Sequence, residues 1–270
     1  MNGETKSQRT AGIKSDVKSE EKSESQILRF EDLPEPVQEK LTLREVTWDE
    51  ARLRRACGSF YNRVGKRIID IILSLILIVP LLPVYALLSL LVLLDSGAPV
   101  WYRAPRGGYR GKTFQINKYR TMVQGADRLG GTTALNDQRI TRIGQVLRHS
   151  KLDELPQFFN VLLGDMSFIG PRPELLEYTR RYTGLEKYIL QVRPGITDWS
   201  SLTFISLDEV VGSRNADEVY ERYVLPRKNQ LRLEYVAGLS LKEDARIFVR
   251  TLADVLKKLI HRKSTHGGKA

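Results

Sequence analysis

Residues 68–94, IIDIILSLILIVPLLPVYALLSLLVLL, contain 22 apolar residues in 27. A run this long and this apolar predicts a helix held in a lipid bilayer. At ~1.5 Å per residue it extends roughly 40 Å, longer than a ~30 Å hydrocarbon core. Two features set it apart from a simple span. Pro80 and Pro83 sit near its middle, and each removes a backbone hydrogen bond and favours a kink. The flanks are also equally basic: six Lys/Arg lie in 51–67, and six lie in 95–120 against one Asp. Positive residues mark the cytoplasmic side. Matched flanks therefore predict a helix that enters, breaks at the prolines and returns to the same face. Each arm would be roughly 17 Å long and would reach about mid-membrane. A tilted span is the competing reading.

Charge narrows the partners. The 270-residue chain carries 43 basic and 32 acidic residues, for a net +11. Residues 1–50 carry −4, so the remainder carries +15. A body this basic predicts an anionic partner: nucleic acid, anionic lipid or a phosphorylated substrate. No nucleic-acid motif is present, and the apolar run argues against that class. Cys57 is the lone cysteine, which excludes an internal disulfide and fits a reducing cytoplasm. Two of the three histidines lie in the tail, so a histidine metal site is not expected.

The chain divides into four parts. Residues 1–50 are an acidic extension. Within it, 1–27 are rich in Ser, Lys and Glu, which predicts disorder, and lack the pattern of a secretory signal. A short helix is expected at 36–41. Residues 51–98 are a basic lead-in and the membrane helix, 99–263 are a folded domain, and 264–270 are a flexible tail. Residues 99–122 predict strand–turn–strand, with Gly107, Gly108 and Gly111 at the turns. Lys118 and Arg120, two apart, would share one strand face. Residues 125–139 form a Gly- and Thr-containing loop without the GK[ST] of a phosphate loop. Residues 140–149 predict a short helix, 174–191 continue helically, and 193–197 (RPGIT) are a turn. Residues 240–263 predict an amphipathic helix. Ser240 and Glu243 have capping-box spacing, and a broad apolar stripe faces a basic one. Such a helix either lies in an anionic interface or packs on a core.

Between these parts lies RHSKLDELPQFFNVLLGDMSFIGPRPE, residues 148–174. Asp153 suits a helix N-cap, with Pro156 tolerated in the first turn. A helix start favours negative charge and is a natural phosphate site. Gly164 would end the helix. Pro171-Arg172-Pro173 is a stiff turn that fixes one guanidinium. These residues alone fit either an ordinary capped helix or a phosphate-handling site.

The wording of the stretch decides between them. LDELPQFFNVLLGDMSFIGPRP, with Lys118-Tyr119-Arg120-Thr121-Met122 upstream and Arg193-Pro194-Gly195-Ile196-Thr197 downstream, closely resembles the bacterial sugar transferase family. The resemblance is strong from Tyr61 to Thr203 and looser to about Leu259. It implies a monotopic phosphoglycosyl transferase of the inner membrane: a membrane-associated α+β protein, mostly α. A re-entrant membrane helix hairpin would accompany a small cytoplasmic catalytic domain with interfacial amphipathic helices. It also implies transfer of a sugar-1-phosphate from a UDP-sugar to a polyprenol phosphate, undecaprenyl phosphate, with release of UMP. Carried over residue by residue, Asp153 is the nucleophile and Mg²⁺ ligand, and Glu154 assists it. Arg148, Lys118, Arg120, Arg172 and Arg193 are substrate-binding candidates. Leu82-Pro83 stands where the family has a Ser-Pro pair. The family's Asn-Gly-Arg word after RPGIT is missing, and Arg214 is the nearest substitute. A catalytically inactive membrane-surface scaffold that binds anionic lipid is the alternative.

Overall fold

The computed structural model of the chain describes residues 29–126, 137–205 and 216–266. The readings made for residues 1–27, for most of the 125–139 loop, for Arg214 and for residues 267–270 lie outside these. Residues up to Glu39 form one compact unit, and Lys40 onward form another. The first holds a turn at Phe30–Asp32 and opens helix α1 (Glu35–Leu41), where a short helix is expected. Gln38 donates Nε2 to the Leu33 carbonyl at 2.7 Å and fastens that turn to the helix.

The second unit is mostly helical, with two small two-stranded sheets. Helix α2 (Glu50–Gly58) is capped by Asp49, whose carboxylate accepts from the Arg52 N–H at 2.8 Å. A π-turn at Tyr61–Gly65 leads into α3 (Lys66–Ser96), the apolar run. Among the described residues it is the one helix long and apolar enough to cross a membrane. The sequence predicts a break at the prolines, but α3 is helical through both. Pro80 and Pro83 release the carbonyls of Ile76 and Val79, three residues apart and so on one face. Both missing hydrogen bonds fall on one side of the helix, which favours a bend there without ending it.

The two faces of α3 differ. Ile68, Ile72, Val79, Leu82, Leu87 and Leu90 are exposed, which suits a lipid-facing side. Lys66, Asp70 and Ser74, four residues apart, are buried and begin the inward side, which Ile78, Tyr85 and Val92 continue. Asp70 accepts from Ser167 Oγ at 2.9 Å and from the Phe168 N–H at 3.1 Å. Lys66 pairs with Asp244, which also accepts from Tyr61 and Tyr235 hydroxyls, each at 2.7 Å.

Strands β1 (Trp101–Gly107) and β2 (Thr113–Tyr119) form the expected antiparallel hairpin, with Trp101 opposite Tyr119. Helices α4 (Arg142–Ser150) and α5 (Gln157–Leu163) follow. Gly164, at φ 96°, ends α5 in the left-handed conformation that glycine adopts most readily. Strands β3 (Ser167–Ile169) and β4 (Gly195–Thr197) then pair in parallel. The expected RPGIT turn is thus a short strand. The reason is close backbone approach: a Cβ at Gly195 would lie 2.1 Å from the Gly170 nitrogen. The expected continuous helix over 174–191 is divided into Leu176–Thr179 and a 3-10 segment, Gly184–Gln191. Helices α6 (Leu225–Ala237) and α7 (Leu241–His266) complete the chain.

One core joins Leu53 of α2, Ile169, Ile189 and Val192 to Leu233 and Val236 of α6. Another lies under the second half of α3, where Tyr85, Leu88 and Val92 meet Tyr119 and Leu147. On α7, Ile247 is buried, whereas Leu241, Phe248, Val249, Leu252 and Val255 are exposed. Much of the described part of the apolar stripe therefore stays exposed.

Candidate active site

Asp153 does not cap a helix. Helix α4 ends at Lys151, which takes a left-handed φ of 60°, and Leu152–Glu154 form a 3-10 turn. Helix α5 begins only at Gln157, with Pro156 before it. A cap at Asp153 would draw on the N–H groups of Leu155 and Pro156, and proline has none. The carboxylate is therefore left free. It is 8% exposed, and its Oδ1 is buried without a hydrogen-bond partner. Burial, and then the adjacent Glu154 charge, raise the Asp153 pKa, against the pull of Lys118, Lys151 and Arg148.

Glu154 has the opposite environment. Burial alone would raise its pKa, but the Arg172 and Lys118 charges hold it well below the usual carboxylate range. Its Oε1 accepts from Lys118 Nζ at 3.0 Å and from the Arg172 guanidinium. Two adjacent carboxyl groups are thus driven apart in acidity, one permanently ionised and one easier to protonate. That is a familiar arrangement where two acids have different tasks.

The fold makes this meeting possible through Asn160. Its side chain accepts from the Asn117 N–H at 2.9 Å and donates to the Gln115 carbonyl at 2.8 Å. That clamp fixes α5 against β2 and places Lys118 beside Glu154. Arg172 is held from three sides. Its NH1 donates to the Ile196 carbonyl at 2.7 Å, its backbone N–H donates to Asp198 Oδ2 at 3.1 Å, and its remaining amine meets Glu154. Asp198 is itself buried and accepts from Ser200 and Ser201 hydroxyls. Arg148 is held by Thr121, Nε to Oγ1 at 2.8 Å, and its charge acts on Asp153.

Five of the seven residues singled out from the sequence therefore converge: Asp153, Glu154, Lys118, Arg148 and Arg172. Two do not. Strand β2 ends at Tyr119, so Arg120 does not share the face of Lys118. Its guanidinium instead caps the end of α3, donating to the Ser96 and Gly97 carbonyls at 2.5 Å. A cation there suits the negative end of a helix. Arg193 donates to the Gly164 carbonyl at 3.2 Å and lies over the Tyr109 ring. It is at the far end of α5 from Asp153.

Sequence reasoning missed three supports. Asp198 caps the short helix Trp199–Thr203 and also holds the Arg172 backbone N–H. Thr121 lies in the quoted KYRTM word without a role. Gln157, within LDELPQ, is fully buried with both polar side-chain atoms unpartnered.

No cluster of three His, Cys, Asp or Glu stands among the described residues. That does not conflict with Mg²⁺, which is commonly held by one or two carboxylates with substrate phosphates and water. The unpartnered Asp153 Oδ1 is a suitable oxygen donor, whereas Glu154 is already engaged by two cations.

One carboxylate oxygen is thus left unpartnered among fixed cations, in a chain that also carries a long apolar helix. The bacterial sugar transferase profile matches residues 61–258. The chain belongs to the bacterial sugar transferase family. It is 36% identical over 195 residues to the UDP-glucose:undecaprenyl-phosphate glucose-1-phosphate transferase of Escherichia coli K12, an alignment covering 71% of this chain and 40% of that protein. The enzyme of the same name from Caulobacter vibrioides is 35% identical over 195 residues, covering 71% and 69%. The UDP-N-acetylgalactosamine-undecaprenyl-phosphate N-acetylgalactosaminephosphotransferase of Aeromonas hydrophila is also 35% identical over 195 residues, covering 71% and 43%. The chain thus spans about two fifths of the length of the Escherichia coli and Aeromonas relatives.

Proposed function

We propose that the chain is a phosphoglycosyl transferase that moves a sugar-1-phosphate from a UDP-sugar to undecaprenyl phosphate, through a covalent intermediate on Asp153. The observation that carries this reading is the buried Asp153 carboxylate, with one oxygen unpartnered amid the charges of Lys118, Lys151 and Arg148. A capping or salt-bridging carboxylate would have its oxygens occupied. One held free and partly desolvated is suited to attack phosphorus.

The ionised Asp153 attacks the phosphorus that bears the sugar. The bond from that phosphorus to the bridging oxygen breaks, UMP leaves, and an acyl phosphate carries the sugar. An oxygen of undecaprenyl phosphate then attacks the same phosphorus and frees the carboxylate. The product is undecaprenyl diphosphate sugar, which opens a polysaccharide or glycoconjugate pathway. Arg148, Arg172 and Lys118 supply fixed positive charge for phosphoryl oxygens. Glu154 holds Arg172 and Lys118 in place. Mg²⁺, bound through Asp153 and the substrate phosphates, would neutralise pyrophosphate charge. The Escherichia coli and Aeromonas relatives act on different sugars at near-equal identity, so similarity alone does not select the sugar.

Purified protein given a panel of UDP-sugars, undecaprenyl phosphate and Mg²⁺ is expected to release UMP with at least one donor, and EDTA is expected to stop it. No UMP from any donor would instead support a membrane-surface scaffold. Full activity in chelator would remove the metal from the reading.

The disposition in the membrane follows the same reasoning. The Arg67 guanidinium donates to the Val161 and Leu162 carbonyls, and the Tyr85 hydroxyl donates to the Leu155 carbonyl at 2.9 Å. This favours a helix bent at Pro80 and Pro83, with both ends at the cytoplasmic face of the inner membrane. The exposed apolar residues of α7 favour an interfacial position for that helix. Cysteines placed singly at Ser59 and at the exposed Ser150 in a Cys57→Ser background are expected to label from the same side of sealed vesicles. Labelling from opposite sides would establish a true span.

A further inference from the structure

At the opposite end of α5 from Asp153, a separate cavity of about 480 Å³ opens beside the start of the apolar helix. Four cations line it: Arg54 of α2, Arg63 of the π-turn, Arg110 at the tip of the β1–β2 hairpin, and Lys187 of the 3-10 segment. All four are exposed. Its one carboxylate, Glu50, accepts from the Tyr188 hydroxyl at 2.9 Å. The walls are pinned together. Asn62 is buried and donates Nδ2 to the Cys57 carbonyl at 2.8 Å and to the Gln191 carbonyl at 3.1 Å. The four positive groups are thus held near one another on a rigid frame without an acidic counterpart for each.

The hairpin tip adds an independent observation. Arg110 takes φ 57°, ψ 31°, the left-handed region that disfavours residues other than Gly, Asn and Asp. Glycines stand at 107, 108 and 111, yet arginine occupies this position. A costly conformation that directs a charged side chain to a cavity rim marks a functional constraint. The guanidinium lies over its own Tyr109 ring, 5.0 Å from the centroid.

Position identifies the ligand chemistry. Arg63 stands at the beginning of the apolar segment that runs Tyr61–Ser96. Phe60 and Val64, on either side of it, and Ile68 one turn further are exposed apolar residues. Headgroup phosphates lie at that depth of a bilayer, and clustered Arg and Lys there attract anionic lipid. The cavity is about 17 Å or more from Lys118 along the extended β2 strand, too far to serve the reacting phosphates at Asp153. We infer that this cavity binds the headgroup phosphate of an anionic membrane phospholipid, with the acyl chains lying along Phe60, Val64 and Ile68. The inference rests on the membrane placement of α3 and is independent of the transferase reading.

The test uses the full chain in neutral detergent micelles, without sugar nucleotide, so an inactive transferase does not affect it. Lipid adducts are counted by native mass spectrometry during titration with phosphatidylglycerol, phosphatidylcholine or inorganic phosphate. Wild-type protein is expected to take up one phosphatidylglycerol at least tenfold more tightly than phosphatidylcholine, with inorganic phosphate a weak competitor. Arg63→Gln combined with Arg110→Gln should lower that affinity at least tenfold, and Lys187→Gln alone should lower it severalfold. The variants should keep the circular dichroism spectrum and Tm of wild type in the same detergent, which verifies that they fold. Equal phosphatidylglycerol binding by all variants would overturn the site. Binding of inorganic phosphate as tight as that of phosphatidylglycerol would overturn the lipid as its ligand.

Discussion

Asp153→Asn protein is expected to fold, insert in membrane and release UMP about 10⁶-fold more slowly than wild type, the scale of loss when a nucleophile is removed. It should form no adduct with a sugar-labelled UDP-sugar. Loss of activity alone does not distinguish a nucleophile from a carboxylate that only holds Mg²⁺. The adduct does. Wild-type protein given UDP-sugar without lipid acceptor should gain one sugar phosphate on the peptide containing Asp153. Acceptor-dependent UMP release that never shows this mass, at a pH where acyl phosphates survive, would end the covalent assignment.

The same residue predicts two pH effects. Its folded-state pKa is raised by burial and by Glu154. The attacking form is the ionised one, so kcat/KM should fall as pH drops through a value above the usual aspartate range. For stability the sign is reversed. A carboxyl with a raised folded pKa binds protons more readily folded than unfolded, so stability falls as pH rises between the unfolded and folded values. At neutral pH the wild type carries that cost, and Asp153→Asn does not. The variant's Tm should therefore equal or exceed that of wild type near pH 7, and the advantage should vanish in acid. A lower Tm at neutral pH would mean that the carboxylate has a partner that stabilises it.

Arg172→Ala should produce the second large effect, on activity and stability together. Its guanidinium holds Glu154 on one prong and the Ile196 carbonyl on another. Removing one partner of such a partly buried pair costs about 3 kcal/mol, and loss of a fixed cation beside the phosphates costs about 10²-fold in rate. Arg172→Lys keeps the charge but does not reproduce the planar fork. It should recover stability in part and activity much less. Rescue of both by lysine would show that charge alone is needed there. Unfolding in urea and UMP release, measured on the same preparations, separate these outcomes.

Local features were legible in the sequence where local rules govern them. The β1–β2 hairpin follows from glycines between two strand-forming runs, and the end of α5 follows from Gly164. Asp153 is a residue type that suits a cap, but Pro156 withholds an N–H that such a cap would use, and the helix starts only at Gln157. Lys118 and Arg120 share a face only if the strand continues past Tyr119, and it does not. Arg193 lies in a family word, but parallel pairing of β3 and β4 carries it to the far end of α5. The tie from Asp198 to Arg172 and the pairing of Glu174 with Arg232 join residues with no periodic relation. Only the folded chain shows them.

The inward polar face of α3 also sets an order of events during synthesis. Lys66 finds its counter-charge in Asp244, 178 residues later. At ribosomal rates of 5–20 residues per second, that partner emerges roughly 10–35 s after the helix itself. During the delay the Lys66 ammonium has only the Asp70 carboxylate, one turn away, to offset it, and both groups are costly in hydrocarbon. Full seating in the bilayer therefore waits for the C-terminal helix. A chain truncated before Asp244 should remain a substrate for membrane quality-control proteolysis even though its entire apolar segment has been made.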